Sequence, residues 1–136
     1  MIKIIALTLL LLTTASGQYK LTVKVENVDP GNGTLYLAFF DNKNDFLDHD
    51  NTTFFKAVKA DSKNVSVTIP NVKKGWWAMA VLQDENGNKK MDYNFFGAPK
   101  EKFGFSNNPT IFMAEPSFDE CKFYLKSDTT ITIDID

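Results

Sequence analysis

The sequence is poor in the residues that most catalytic and zinc sites require, with one cysteine (Cys121) and one histidine (His49) among 136 residues. A single cysteine cannot form an internal disulfide bond. Alternation places Cys121 on the same side as Phe123, which predicts a small buried core residue rather than a reactive thiol. His49 lies in the polar stretch 48–51, which predicts a solvated side chain. A zinc site is disfavoured because its usual ligands are missing.

The sequence also has no basic cluster. It contains 15 lysine plus arginine residues against 17 acidic residues, for a formal net charge of −2. Tight nucleic-acid binding depends on concentrated positive charge, so this balance argues against a nucleic-acid-binding protein. No glycine-rich, phosphate-cradling loop is present either. The composition therefore excludes nucleic acid as an expected partner.

Long apolar runs are confined to the N-terminus. A short positive start at 1–3 precedes the apolar run 4–12 and the small-residue stretch 13–17. This order is typical of a secretory signal peptide, with cleavage predicted between Gly17 and Gln18. About nine apolar core residues are too few to span roughly 30 Å of hydrocarbon, so no transmembrane segment is expected. We therefore predict a signal peptide at 1–17 and an exported domain at 18–136, in the periplasm, on the cell surface or outside the cell.

Helical periodicity is absent, whereas alternation of apolar and polar residues dominates the rest of the chain. It predicts about seven strands, separated by turns rich in Gly, Asn, Asp and Ser: 19–25, 34–40, 53–60, 65–69, 76–82, 118–125 and 131–135. Strand 76–82 is apolar on both faces, which predicts a central position with at least one of Trp76 and Trp77 in the core. The pattern favours an all-β fold, an antiparallel β-sandwich of immunoglobulin or transthyretin type.

The region 84–117 has little periodicity but many aromatic residues. Loops of this length are uncommon in compact domains and usually functional or disordered, and disordered segments are poor in aromatic residues. We therefore predict one long ordered loop, packed over one end of the sandwich.

The start of this loop, Asp-Glu-Asn-Gly-Asn-Lys-Lys-Met-Asp, carries oxygen atoms in a calcium-loop register. Side chains of Asp84, Asn86, Asn88 and Asp92 fall at positions 1, 3, 5 and 9, and Lys90 at position 7 would offer its backbone carbonyl. Hard cations such as Ca²⁺ bind six to eight such oxygens, and short loops with ligands on alternate residues can wrap them. This spacing of oxygen ligands predicts a Ca²⁺ site, which is the one cofactor site that the sequence suggests.

The register is incomplete, since Lys89 replaces the glycine of position 6 and Phe95 the glutamate of position 12. Few charged ligands predict a weak site, with a dissociation constant on the order of 10⁻⁴ to 10⁻³ M. A second interpretation is a bare turn, because Asn86-Gly87 is among the strongest two-residue hairpin signals. Both interpretations stay open at the level of sequence.

Several longer stretches resemble the DUF2141 family, small exported bacterial proteins of unassigned function. They are Gly75-Trp76-Trp77-Ala78, Asp84-Glu85-Asn86-Gly87-Asn88 with Asp92, the run from Gly97-Ala98-Pro99 through Glu101 to Gly104-Phe105-Ser106-Asn107-Asn108, and Pro116-Ser117-Phe118-Asp119. The resemblance covers essentially the whole chain after the signal peptide and implies export and a β-sandwich. It implies no reaction. Lys89 departs from the family pattern, which usually has a second glycine there.

The run from Gly97 to Asn108 predicts scaffolding. Gly104 permits close backbone approach, Asn107 and Asn108 can bond to neighbouring backbone, and Phe103 and Phe105 are expected to plug the core. The alternative is a ligand platform built from Tyr93, Phe95, Phe96 and Glu101.

These observations predict a non-catalytic exported module with a binding or accessory role at the cell envelope. An alternative is a glycan- or peptide-binding module that uses the loop aromatic residues. A hydrolase built on two carboxylates from Asp84, Asp92 and Glu101 is disfavoured, because nothing in their setting marks them for a raised pKa. The partner, a protein or a glycan, and the oligomeric state are open.

Overall fold

A computed structural model describes residues 17–85, 87, 101–111 and 114–136. The described strands are β1 (Gln18–Glu26), β2 (Thr34–Phe40), β3 (Phe54–Lys59), β4 (Val65–Lys73), β5 (Gly75–Asp84), β6 (Phe103–Phe105), β7 (Phe123–Leu125) and β8 (Thr129–Asp134). A 3-10 turn at His49–Asn51 and one helical turn, α1 (Phe118–Cys121), complete the described elements.

The strands form two sheets. One has the order β4-β1-β8, and the other has the order β3-β2-β5-β6, with β7 also pairing with β5. All pairs are antiparallel except β1 and β8, which run parallel from Leu21 opposite Thr129 to Glu26 opposite Asp134. The predicted all-β, sandwich-like fold is confirmed, with a parallel pair that alternation cannot reveal. Within the described residues, no helix is long and apolar enough to span a membrane.

The main core lies between the two sheets. Alternate residues of β1, β2, β5 and β8 point inward and are almost completely buried: Leu21, Val23, Val25, Leu35, Leu37, Phe39, Trp77, Met79, Val81 and Ile133. Full burial of one such side chain contributes about 1.5 to 3 kcal/mol relative to exposure. The core therefore fixes the register of every strand, because a slip of one residue would turn its apolar face to solvent.

A second apolar cluster covers part of the outer face of the five-stranded sheet. Ala38, Phe40, Ala78 and Ala80 lie on that face, and Leu47, Phe105 and Cys121 pack over them. Strand β5 is thus buried on both faces along most of its length, which confirms its predicted central position. Trp77 is 3% exposed and Trp76 48% exposed, so one of the two tryptophans belongs to the core as expected.

Three strand predictions are wrong. The region 84–117 was predicted to be a loop, but it contains β6. The predicted strand 65–69 stops before Pro70, but β4 continues to Lys73. The pairs Tyr19–Val72 and Leu21–Ile69 leave one extra residue in β4, and Asn71 there has a φ of 58°. Proline is tolerated because β4 is an edge strand and Pro70 lies at this bulge.

The predicted strand 118–125 begins as a helical turn instead. Ser117 accepts a hydrogen bond from the amide of Glu120, and the Glu120 carboxylate accepts one from the amide of Ser117. This reciprocal capping box starts a helix, and Ser-x-x-Glu is its sequence signature. Cys121 is nevertheless completely buried, as expected.

Candidate functional site

Asp84 lies at the last position of β5, where the central strand leaves the core. It pairs with Thr34 on β2 and is only 2% exposed. Its Oδ1 accepts a hydrogen bond of 3.0 Å from the amide of Gly87, which turns the chain around the carboxylate. Gly33, with a φ of 77°, passes so close that a Cβ there would lie 1.9 Å from the carbonyl oxygen of Asp84. The carboxylate that opens the predicted calcium register is therefore held at a buried, tightly packed point.

Both edges of β5 are occupied just before Asp84. On one side Leu82 pairs with Tyr36 and Gln83 with Leu35. On the other side Leu82 pairs with Phe103, and the amide of Gln83 donates to the carbonyl of Lys102 at 2.9 Å. A two-residue hairpin at Asn86-Gly87 that ran back along β5 would need one of these edges to be open. Neither edge of β5 is open at Leu82 and Gln83.

The side chain of Gln83 joins this end of β5 to the β1–β2 turn. It is completely buried, and its Oε1 accepts from the amide of Asp29 at 3.0 Å. Its Nε2 donates to the carbonyls of Asp29 at 2.8 Å and Asn32 at 2.7 Å. Three buried hydrogen bonds thus anchor the turn. Sequence reasoning missed this role, although one amide at the end of an otherwise apolar strand is the signal that could have indicated it.

A charged network lies beside Asp84. Lys102 Nζ lies 3.0 Å from Asp29 Oδ1 and donates to the carbonyl of Asn27 at 2.8 Å. The hydrogen bond from Lys102 and a second from Glu85 lower the pKa of Asp29. Desolvation, followed by the hydrogen bond and charge of Asp29, raises the pKa of Glu85. When Glu85 is protonated, its carboxyl can donate to the Asp29 carboxylate.

We call this end of the sandwich, formed by residues 27–33, 83–85, 87 and 101–102, the loop end. It brings together Asp84 and Glu101 of the predicted site residues, and Glu101 is half-buried with its Oε1 shielded from solvent. The other candidates, Asn86, Asn88, Lys90, Asp92, Tyr93, Phe95 and Phe96, lie outside the described residues. No group of three acidic, histidine or cysteine side chains that could hold a metal ion occurs within the described part of the chain.

The motif around Ser106 acts as scaffolding, as predicted. Ser106 is 1% exposed; its Oγ accepts from the amide of Met79 at 2.9 Å and donates to the carbonyl of Cys121 at 2.6 Å. A Cβ on Gly104 would lie 2.6 Å from the carbonyl oxygen of Asp134, so glycine allows β6 to approach β8. The serine and the glycine thus fix β6 against three other elements.

The two asparagines that follow continue this function. Both adopt a left-handed conformation, with φ values of 66° for Asn107 and 45° for Asn108. Asn107 Nδ2 donates to the carbonyl of Lys122 at 2.8 Å. Asn108 donates to the carbonyl of Thr132 at 3.0 Å and accepts from the amide of Asp134 at 2.9 Å. The turn after β6 therefore ties α1 and β8 to the five-stranded sheet.

Two open clefts lie in the described part of the molecule. One lies away from the loop end, and the other borders it. One, of about 420 Å³, lies between the edges of β3 and β4 and is lined by Phe54, Ile69, Trp77 and the ion pair of Asp41 and Lys73, among others. The second, of about 400 Å³, is lined by β6, the turn after it and the C-terminal residues. Neither is lined by His49, Asp84 or Glu101. His49 is exposed, as expected, so these clefts do not join it to the carboxylates.

The family model described as "Uncharacterized protein conserved in bacteria (DUF2141)" matches residues 23–133. This match spans every described strand in whole or in part. No curated protein and no solved structure matches the chain.

Proposed function

Since the chain belongs to the DUF2141 family of uncharacterised proteins conserved in bacteria, we propose that it is an exported, non-catalytic β-sandwich module of the cell envelope. Its loop end takes up one weakly bound Ca²⁺, which orders the loop after β5. The ligands are the side chains of Asp84, Asn86, Asn88 and Asp92 and the carbonyl of Lys90.

The observation that carries this proposal is the placement of Asp84. A carboxylate with 2% exposure draws its stabilisation from donors and cations around it. The amide of Gly87, three residues along the register, is one such donor at 3.0 Å. The strand that presents Asp84 is held by β2 and by the buried amide of Gln83. A first ligand fixed in this way lowers the entropy that a short loop loses when it closes around an ion.

The occupied edges of β5 also support a cation loop over a tight hairpin. Lys102 lies opposite Gln83, and 17 residues of the sequence join Asp84 to Lys102. A connection of that length in a compact structure needs local stabilisation. An ion held by alternate residues supplies it. The charges of Lys89 and Lys90 oppose binding, so millimolar calcium is required, as in extracellular modules.

A role without catalysis is supported by the chemistry of the described motifs. Ser106, Asn107 and Asn108, which stand out in sequence, all use their polar atoms to bind backbone groups. His49 lies in an exposed 3-10 turn whose residues include no buried side chain. The distinctive residues thus hold the sandwich together, and the loop end is left as the site that responds to a ligand.

Thermal unfolding of residues 17–136 in EDTA, about 5 mM Ca²⁺ and about 5 mM Mg²⁺ tests the calcium site. A dissociation constant of 10⁻⁴ to 10⁻³ M predicts about 1 to 2 kcal/mol of stabilisation by calcium. That corresponds to about 4 to 9 °C for a chain of this size. Asp84→Asn abolishes the shift, whereas Asp61→Asn, at an exposed turn between β3 and β4, retains it. A full calcium shift in Asp84→Asn, or none in the parent, overturns the site.

Export has its own test. The full chain is expressed in a bacterium and fractionated, and the intact mass of the protein is measured. The expected product lies outside the cytoplasm and begins at Gln18. An uncleaved chain that stays in the cytoplasm contradicts export without bearing on the calcium site.

A further inference from the structure

Two exposed aromatic side chains form a pair at the end of β5 that is opposite to Asp84. Trp76 on β5 pairs with Tyr124 on β7, and their rings meet edge to face with centroids 5.0 Å apart. Trp76 is 48% exposed and Tyr124 44% exposed. Their strand neighbours Trp77 and Leu125 point into the main core. Alternation therefore forces the pair onto the outer face of the sheet.

Lysines surround this pair. Lys122 Nζ lies 4.8 Å from the centre of the Trp76 ring and 3.0 Å from Asp119. Lys74 and Lys126, adjacent to Gly75 and Leu125, are exposed at the end of the same strand pair. Within the described residues, neither of these two takes part in a salt bridge. We call residues 74, 76, 122, 124 and 126 the aromatic–lysine corner.

The corner stands out against the charge of the whole chain. The protein has a formal net charge of −2, yet this corner combines two exposed aromatic rings with the exposed Lys74 and Lys126 and with Lys122, which is paired with Asp119. Lysine attracts anionic headgroups, and the rings of tryptophan and tyrosine have an apolar body with a polar tip that suits the membrane–water interface. The charge and the side-chain types therefore complement an anionic lipid surface.

The position of the N-terminus gives a second, independent argument. The carbonyl of Gly17 accepts a hydrogen bond of 2.7 Å from the amide of Lys74. The chain before residue 17 therefore enters the fold beside the aromatic–lysine corner. The predicted signal peptide, with an apolar run at 4–12, is joined to the sandwich at this point. Before cleavage, the apolar segment is therefore attached to the sandwich beside this corner.

We propose that the aromatic–lysine corner docks the protein on an anionic phospholipid membrane. Trp76 and Tyr124 enter the interface, and Lys74, Lys122 and Lys126 contact the headgroups. Asp84 lies eight positions after Trp76 on β5, which places the two roughly 26 Å apart. Membrane docking therefore goes beyond the calcium site and does not require it.

The test is flotation of residues 17–136 with vesicles, in EDTA so that calcium plays no part. These residues include every described strand and both hydrophobic clusters. Vesicles with about 30% phosphatidylglycerol in phosphatidylcholine are compared with pure phosphatidylcholine. Binding to the anionic vesicles is expected, and it weakens as the salt concentration rises. Circular dichroism confirms that each variant is folded.

Matched variants separate the corner from the rest of the surface. Trp76→Ala weakens binding about tenfold by removing buried apolar area, whereas Phe55→Ala, at a side chain 62% exposed on β3, leaves it unchanged. Lys126→Gln weakens binding about fivefold, whereas Lys24→Gln, at an exposed position of β1, has no effect. Tyr124→Ser gives a second aromatic variant should Trp76→Ala fail to fold.

Three results overturn the proposal. They are absence of binding to anionic vesicles, equal binding to neutral vesicles, and equal losses in the corner and control variants. Binding to an acidic polysaccharide but not to vesicles likewise overturns it and assigns the corner to a glycan. If Asp84→Asn loses the calcium-dependent thermal shift but still binds vesicles, the calcium site and the aromatic–lysine corner act independently.

Discussion

Replacement of Ser106 by alanine tests whether the motif after β6 is a structural staple. The hydroxyl of Ser106 is the hydrogen-bond partner of the Met79 amide, at 2.9 Å, and of the Cys121 carbonyl, at 2.6 Å. The side chain is 1% exposed, so water cannot easily replace the oxygen that Ser106→Ala removes. The variant leaves one buried donor and one buried acceptor without this partner.

The expected loss follows from these two groups. A buried polar group left without a partner costs about 1 to 3 kcal/mol. Partial relaxation of the Cys121 carbonyl reduces the total, and we expect about 2 to 4 kcal/mol of destabilisation. For a chain of about 120 residues this lowers the melting temperature by roughly 10 °C. Urea unfolding followed by tryptophan fluorescence measures it, because Trp77 belongs to the same sheet.

The matched control is Ser66→Ala, at an exposed position of β4. Surface changes of this kind alter stability by less than about 0.5 kcal/mol. If Ser106→Ala loses less than about 1 kcal/mol, or no more than Ser66→Ala, the staple interpretation is refuted. A changed slope of the urea transition would instead indicate a change in compactness and would call for calorimetry.

Three further predictions concern the loop end and the second cluster. Gly33→Ala places a Cβ against the Asp84 carbonyl, so we expect a loss of more than about 3 kcal/mol in urea unfolding. Gly31→Ala, also at positive φ but with open space around its Cβ, costs only about 1 kcal/mol. Desolvation and Asp29 raise the pKa of Glu85, so ionised Glu85 destabilises the fold as pH rises above the ordinary value of 4.5. Glu85→Gln therefore raises the melting temperature near pH 7, and the gain disappears below about pH 4. Burial, with a smaller effect of the neighbouring charge at position 120, raises the pKa of Cys121 to about 12, so Ellman's reagent at about pH 8 labels this thiol only after denaturation.

Each of these predictions has a clear contrary result. Equal losses in Gly33→Ala and Gly31→Ala would show that backbone conformation, rather than the contact with Asp84, decides the cost. A gain from Glu85→Gln that persists at about pH 3 would show that the effect does not come from ionisation. Rapid labelling of Cys121 in the folded protein would mean that the second cluster opens readily.

The sequence could predict the parts of the fold that depend on local alternation. Alternate apolar residues in 19–25 predicted β1, and the more fully apolar stretch 34–40 predicted β2. The apolar character of both faces of 76–82 predicted the central place of β5. The burial of Cys121 and of at least one of the two tryptophans was predicted for the same reason, and the burial of Phe105 was predicted from its motif. Local sequence and tertiary structure agree where every second side chain of a strand packs into the core.

The prediction of strands was wrong where a short local motif competed with the alternation of apolar and polar residues. Pro70 is a strand breaker in most settings, but an edge strand with a bulge accepts it. Phe118 to Cys121 alternates weakly, and the capping box of Ser117 and Glu120 decides in favour of a helical turn. At the loop end, the role of Asp84 as a first ligand was predicted from spacing, and its calcium site stays a prediction until it is measured.

By itself, the sequence determined the all-β class, the principal strands and the scaffold character of the Gly-Phe-Ser-Asn-Asn motif, because these depend on the character of neighbouring residues. Only the tertiary structure decided the parallel pairing of β1 with β8, the anchoring of the β1–β2 turn by Gln83 and the network of Asp29, Glu85 and Lys102. Those features join residues more than 15 positions apart, up to 108 for the paired residues Leu21 and Thr129. Contacts at such separations depend on how the sheets pack, and no local pattern of residues encodes them.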